Sequence, residues 1–284
     1  MISRNYDPSE GKTLYHYCSA ATFHAICTGG NIRYSDLNSM NDSEEMVWGY
    51  KIWEETATKL MPATGKDFLD KVDNIIHSTF TRAQGVVACF SKSGDVLSQW
   101  RAYADDGRGY AIGFDAEVLC GMASTALEVL YEKSKQIEEV HDFVAAIHFM
   151  ESMREAKYST EFIESCIRLF FYLASFKNPN FSEEQEVRLL HSLMLEASGD
   201  SFKMVDNGGI AFGKHVPGKP VSFFMRDSAP VPYIDQAFYG SDKPAIKEII
   251  IGPKNSVVSI GISIFLETLG HSGVEVRRSM IPYR

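Results

Sequence analysis

The sequence predicts an α+β protein folded as a single domain over residues 1–284, with a mixed sheet and a helical insertion, a mostly helical section at about 124–176. Three observations carry that prediction. Short apolar runs of strand type (Leu14–Tyr17, Gly85–Phe90, Tyr110–Phe114, Lys247–Ile251) alternate with segments of helical period. The helices gather in the middle of the chain rather than following each strand in turn, which separates α+β from α/β. The composition, 45% hydrophobic, 12% aromatic and 23% charged, is that of a globular chain able to bury a core.

Element by element, Leu14–Tyr17 reads as a strand and Ala20–Cys27 as a helix, with Ser19 as its cap and Gly29-Gly30 as its stop. Asn31–Asp36 alternates like a strand, and Asn38-Ser-Met-Asn-Asp-Ser-Glu-Glu reads as a loop entering helices near Glu44–Leu60 and Lys66–Thr79. Gly85–Phe90 is a buried strand, Ser91–Asp95 a turn and Val96–Tyr103 a short helix. Asp105-Asp106-Gly107-Arg108-Gly109 is turn chemistry ahead of the strand Tyr110–Phe114. Val140–Ala156 and Thr160–Phe176 have helical period. Strands return at Glu186–Ser192, Pro220–Met225 and Lys247–Ile251, followed by a helix at Ser259–Leu269 and a last strand at Val274–Pro282.

The net charge is −9, from 28 basic and 37 acidic residues, which argues against salt-driven adhesion to nucleic acid or anionic lipid. From Ser201 onward, however, ten basic residues face seven acidic ones, so a local cationic groove remains compatible with the overall sign. Five widely spaced cysteines (Cys18, Cys27, Cys89, Cys120, Cys166) without a C-x-x-C read as reduced thiols of a cytoplasmic protein, and no metal site is expected. No apolar leader or spanning stretch is read, so no membrane partner is expected. His141 and His148, seven apart on one helix, read as surface histidines. There is no H-E-x-x-H, G-x-S-x-G or Walker loop, and Gly107-x-Gly109-x-x-x-Gly113 has the wrong spacing for a dinucleotide fingerprint.

A more specific set is LYHYCS (14–19), SMNDSEE (39–45), ACFSKSGDVLSQWRAYADDGRGYAIGFD (88–115), KNPNFSEEQEVRLL (177–190), EIIIGP (248–253) and the closing RSMIPYR. In this order the segments resemble a bacterial domain-of-unknown-function family, two-nine-seven-one. The family pattern often has Pro where this chain has Ser43, and Met before the Trp where it has Gln99. The order of side chains also resembles that of ADP-ribosyltransferases of the His-aromatic-Glu kind. That resemblance implies a split mixed sheet of ADP-ribosyltransferase-like type and NAD as substrate. It also implies His16 on the first strand, Ser91 with Trp100 or Tyr103 in the middle, and Glu186 on a late strand.

The chemistry suits those residue types. Breaking the nicotinamide-ribose bond builds an oxocarbenium-like transition state that a carboxylate stabilises, the role expected of Glu186. A neutral His16 can hydrogen-bond ribose hydroxyls, and the aromatic face of Trp100 or Tyr103 can stack the cationic nicotinamide ring. Read as a strand, Glu184, Glu186 and Arg188 share one face, and in the resembling transferases the first acid of such a pair orients or deprotonates the acceptor. Tyr17 and Asn41 are candidate ligand contacts, and Arg101, with Arg108, a candidate for the pyrophosphate.

The expected reaction is transfer of ADP-ribose to a macromolecular acceptor, protein slightly favoured over nucleic acid. Proteins of this resemblance include toxins and phage-defence effectors. Association into a homo-oligomer stays open. Two rivals stand beside this reading: an NAD-independent enzyme on a nucleotide or nucleic acid, using Glu184, Glu186 and His16 as acid and base, and a non-catalytic nucleotide-sensing module. Ordinary structural roles compete too: a half-buried strand histidine for His16, core packing for Trp100 and Tyr103, a turn or cap for Ser91, a solvated edge for the acids. Convergence of His16, Trp100 or Tyr103, and Glu186 on one cleft of nicotinamide-riboside size is the spatial condition the transferase reading sets.

Overall fold

The structure, a computed structural model, describes residues 4–9, 12–37, 45–240 and 242–283. Asn41, with most of the SMNDSEE segment, lies outside the described residues. The strands are β1 (Thr13–Cys18), β2 (Asn31–Asp36), β3 (Ala83–Ser91), β4 (Tyr110–Asp115), β5 (Thr125–Glu128), β6 (Glu186–Ser198), β7 (Ser201–Val205), β8 (Gly209–Ala211), β9 (Lys214–Val216), β10 (Ser222–Arg226), β11 (Ala229–Ala237), β12 (Ile246–Ile251) and β13 (Glu275–Arg278). The helices are α1 (Ala20–Gly29), α2 (Glu45–Thr64), α3 (Lys66–Arg82), α4 (Leu97–Tyr103), α5 (Ala116–Cys120), α6 (Lys133–Ser152), α7 (Thr160–Leu173) and α8 (Ser259–Thr268).

Eleven strands join in one mixed sheet, running β10-β11-β2-β3-β1-β4-β12-β13, with β5, β6 and β7 attached through β3; β8 and β9 form a separate hairpin. The expected α+β class with a mixed sheet is observed. Within the section at about 124–176, β5 pairs antiparallel with β6, and α6 and α7 follow it. The alternation Thr-Ala-Leu-Glu is too short to register as a strand by period alone, and its partner lies about sixty residues downstream.

Local chemistry sets the element ends. The Ser19 side chain accepts from the Thr22 amide at the start of α1, and Gly30 closes it in the left-handed region at φ 63°. Asp115 caps α5 by accepting from the Glu117 and Val118 amides.

Strand alternation divides the core between the faces of the sheet. Val86, Ala88 and Phe90 of β3, Ile112 and Phe114 of β4, and Ile249 and Ile251 of β12 pack with α1, α5 and α8 on one face. Val87 and Leu190 pack with α2, α3, α6 and α7 on the other. A smaller cluster of Tyr17, Trp100, Ala104, Ala111 and Ile250 lies beneath α4. No helix of the described residues is long and apolar enough to cross a membrane.

One irregularity positions the site. β3 pairs with β6 along its whole length, from Ala83↔Met194 to Ser91↔Glu186, but meets β1 at a single register pair, Tyr15↔Ser91. Elsewhere β1 and β3 diverge, and the sheet opens a seam between them.

Candidate functional site

A cavity of about 80 Å³ lies at this seam, lined by side chains from β1, β3, α4 and the start of β6. Of the residues singled out from the sequence, His16, Tyr17, Ser91, Tyr103, Glu184 and Glu186 line it, and Tyr15, Cys89, Phe90 and Gln99 complete the wall. These residues span most of the chain, so only the tertiary fold assembles them. Pockets for drug-sized ligands begin near roughly 300 Å³. The space therefore suits one small ring, and the nicotinamide-riboside size condition is met only in part.

His16 enters the seam with Nδ1 at 3.0 Å from the main-chain oxygen of Cys89. A carbonyl can only accept, so Nδ1 carries the proton. Burial lowers the imidazole pKa, with the Cys89 bond opposing it, which keeps the ring neutral and leaves Nε2 with a lone pair. Ser91, 2% exposed, donates to the main-chain oxygen of Glu184 at 2.7 Å and accepts from the Ser93 amide at 3.1 Å. It fixes the site wall by bridging two segments.

The two acids differ from the strand-face expectation. Asn178 and Pro179 start a 3-10 turn over Pro179–Glu184, so Glu184 precedes the strand, and Gln185 adopts the left-handed region (φ 45°, ψ 50°) before β6 begins at Glu186. The reversal still brings both carboxylates onto one cation. Lys177, only 2% exposed, donates from Nζ to Glu184 Oε2 at 2.5 Å and to Glu186 Oε2 at 3.4 Å. Arg188, fully buried, grips Glu186 through Nε (2.8 Å to Oε1) and Nη2 (3.1 Å to Oε2), and its Nη1 donates to the Ala174 oxygen at 2.6 Å.

The two acids and two cations form a neutral quartet. Burial would raise the Glu186 pKa, but Arg188 and Lys177 outweigh it and hold the carboxyl below its ordinary range. The main-chain amide of Glu186 donates to Tyr131 Oη at 2.9 Å.

Helix α4 sorts the two aromatic candidates. Gln99 and Tyr103, four apart, line the cavity, whereas Trp100 and Ala104, also four apart, pack in the core. Trp100 is fully buried, donates from Nε1 to Asp95 at 2.7 Å and packs edge-on against Tyr17 with ring centroids 4.9 Å apart. Its ring does not reach the cavity, so Tyr103 is the aromatic candidate there.

The Tyr103 hydroxyl lies 3.4 Å from Glu184 Oε1, and burial and then that carboxylate raise the phenol pKa. Tyr17 presents its ring but commits its hydroxyl, which donates to the Ser93 oxygen at 2.9 Å and accepts from the Val96 amide at 3.0 Å. Arg101 is exposed and does not line the cavity.

Tyr15 was not singled out from the sequence. Its hydroxyl donates to Glu248 Oε1 at 2.5 Å, and Arg277 holds the other Glu248 oxygen at 2.9 Å. Gly94 makes room for its ring: a Cβ there would stand 2.4 Å from Tyr15 Cε1. Lys177 and Gln99 were also missed. A lysine directly after the apolar Leu173-Ala-Ser-Phe run is the signal that could have found Lys177, since a lysine buried there needs an acid.

Residues 99–189 match the family described as Protein of unknown function (DUF2971), the family the motif set resembles. The match runs from Gln99 through Leu189 and so includes Tyr103, Lys177 and both acids. No curated protein and no solved structure matches the chain.

Proposed function

We propose that this protein is an NAD-dependent, ADP-ribosyltransferase-like enzyme that cleaves the nicotinamide-ribose bond and passes ADP-ribose to a macromolecular acceptor. The single observation that carries the reading is the convergence of His16, Tyr103, Glu184 and Glu186 on one cavity at a split in the sheet. A split mixed sheet of the transferase type accords with the same seam.

In this reading the nicotinamide ring occupies the cavity between tyrosine faces, with the ribose at its mouth. His16 Nε2 accepts from a ribose hydroxyl. Glu186, kept ionised by Arg188 and Lys177, stabilises positive charge at the anomeric carbon as the bond to nicotinamide breaks and its electron pair leaves with the ring. Glu184 takes the proton from the acceptor as the new bond forms at that carbon. Protein remains the favoured acceptor, because the net charge of −9 opposes broad nucleic-acid binding.

Incubation with NAD labelled on its adenosine portion and a cell lysate tests the reading. Label resistant to nuclease and removed by protease is the expected result; no label and no released nicotinamide would end it.

A second reading, a non-catalytic nucleotide-sensing module, draws on a specific observation: both oxygens of Glu186 already receive bonds from Arg188 and Lys177. Under that reading Glu186→Gln leaves ligand binding unchanged and there is no turnover to lose.

A further inference from the structure

Gln99 stands apart from the other polar residues of the cavity. It is 7% exposed and lines the space, yet its side-chain amide has no hydrogen-bond partner among the described residues. Of the other polar groups there, Ser91 is committed to the Glu184 oxygen, Glu184 to Lys177 and Glu186 to Arg188, while His16 keeps Nε2 open as a lone acceptor; Gln99 alone offers donors and an acceptor together. The buried side-chain polar atom left without a partner among the described residues is Ser98 Oγ, so the Gln99 amide still has access to the cavity space and its donors and acceptor are open to a ligand there. The amide opens onto a cavity walled chiefly by rings.

We infer that Gln99 is the specificity-determining residue of this cavity and that it reads a primary carboxamide carried on a small aromatic ring. A Gln side chain offers one acceptor and two donors in a plane, and the group that answers an acceptor and a donor side by side is another planar amide. A carboxylate answers only the donor and brings a negative charge beside Glu184 and Glu186. A bare ring answers neither. The size of the cavity, about 80 Å³, suits a single ring.

The inference deepens the NAD reading and rests on it for the source of the carboxamide, which is the nicotinamide end of NAD. Gln99 acts by choosing the substrate, while bond cleavage belongs to Glu186. Two hydrogen bonds of ordinary strength correspond to about tenfold or more in affinity.

The test is direct binding of nicotinamide, benzamide, nicotinic acid, pyridine and adenine to the whole protein, followed by intrinsic fluorescence or ligand-observed NMR. Wild type should bind nicotinamide and benzamide at least about tenfold more tightly than pyridine or nicotinic acid. Gln99→Met, which keeps side-chain length and removes the amide, should erase that preference while the fold, followed by near-UV circular dichroism, is retained.

Equal binding of pyridine and nicotinamide by wild type, a carboxamide preference unchanged in Gln99→Met, or adenine bound in place of nicotinamide would each overturn the inference. Should Gln99→Met fail to fold, Gln99→Leu serves as the second variant with the same expected loss of preference, and the wild-type ligand series tests the carboxamide preference itself. Nicotinamide release from NAD, measured in parallel, separates the two claims. Carboxamide preference without turnover leaves the Gln99 role standing and removes the enzyme. Turnover with no dependence of KM on Gln99 does the reverse.

Discussion

His16 Nδ1 donates to the main-chain oxygen of Cys89, 73 residues along the chain, across 3.0 Å. The bond crosses the seam where β1 and β3 part, so one side chain both ties the two strands and turns its second nitrogen to the cavity. Its consequence is a pH dependence. Burial lowers the His16 pKa in the folded protein, so below about 6.5, the ordinary histidine value, the unfolded chain binds the proton more readily. His16 therefore contributes stability that is present above about pH 6.5 and is lost as pH falls toward the lowered folded-state value. Urea midpoints followed from neutral pH downward should fall more steeply for wild type than for His16→Asn; parallel profiles would contradict this.

The Glu186–Arg188 pair predicts an asymmetric stability response. Arg188→Met leaves a buried carboxylate with Lys177 alone and should cost about 3–5 kcal/mol in urea denaturation. Adding Glu186→Gln to that background should recover part of the loss, because the uncompensated charge is gone. A double variant as unstable as the sum of the single ones would mean the two residues are energetically independent.

Trp100 and Tyr103 should separate stability from binding. Trp100→Phe removes the Nε1 bond to Asp95 and should lower stability by roughly 1–3 kcal/mol while nicotinamide affinity stays unchanged. Tyr103→Ala removes a cavity wall and should weaken that affinity, with stability held within about 1 kcal/mol. The opposite pattern would return Trp100 to the site.

Asp95 links helix α4 to the segment after β13. It accepts from Trp100 Nε1, from Ser279 Oγ at 2.6 Å and from the Met280 amide at 2.8 Å, while Tyr283 Oη reaches Asp106 at 2.6 Å. Asp95→Ala frees three donors at once and should raise hydrogen exchange across 97–103 well before global unfolding. Exchange unchanged from wild type would show that packing alone holds α4.

Much of the fold was legible because local signals agree with it. Ser19 and Gly30 bound α1, and Tyr110–Asp115 emerges from its Gly-rich turn where the sequence places it. What escaped depends on distant partners. β5 is a strand because β6 lies beside it, and β8 and β9 are three residues each, too short to show a period.

The site divides in the same way. His16 and Glu186 were legible as types in order, whereas the choice between Trp100 and Tyr103 was not. Both lie on α4, and their spacing leaves open which of them faces the sheet. Helical geometry resolves it once Gln99 is seen to share the Tyr103 face. The cationic half of the quartet was hidden too, because Lys177 meets the acids only after the chain reverses at Gln185.

Cleavage of NAD in this cavity through Glu186 is read most directly as nicotinamide released from NAD by purified protein, wild type against Glu186→Gln. Wild type should release nicotinamide, and the variant should do so at least about a hundredfold more slowly, the scale expected when a charge-stabilising group is removed from a transition state. No release by wild type, or release that survives Glu186→Gln at full rate in a folded variant, would contradict it.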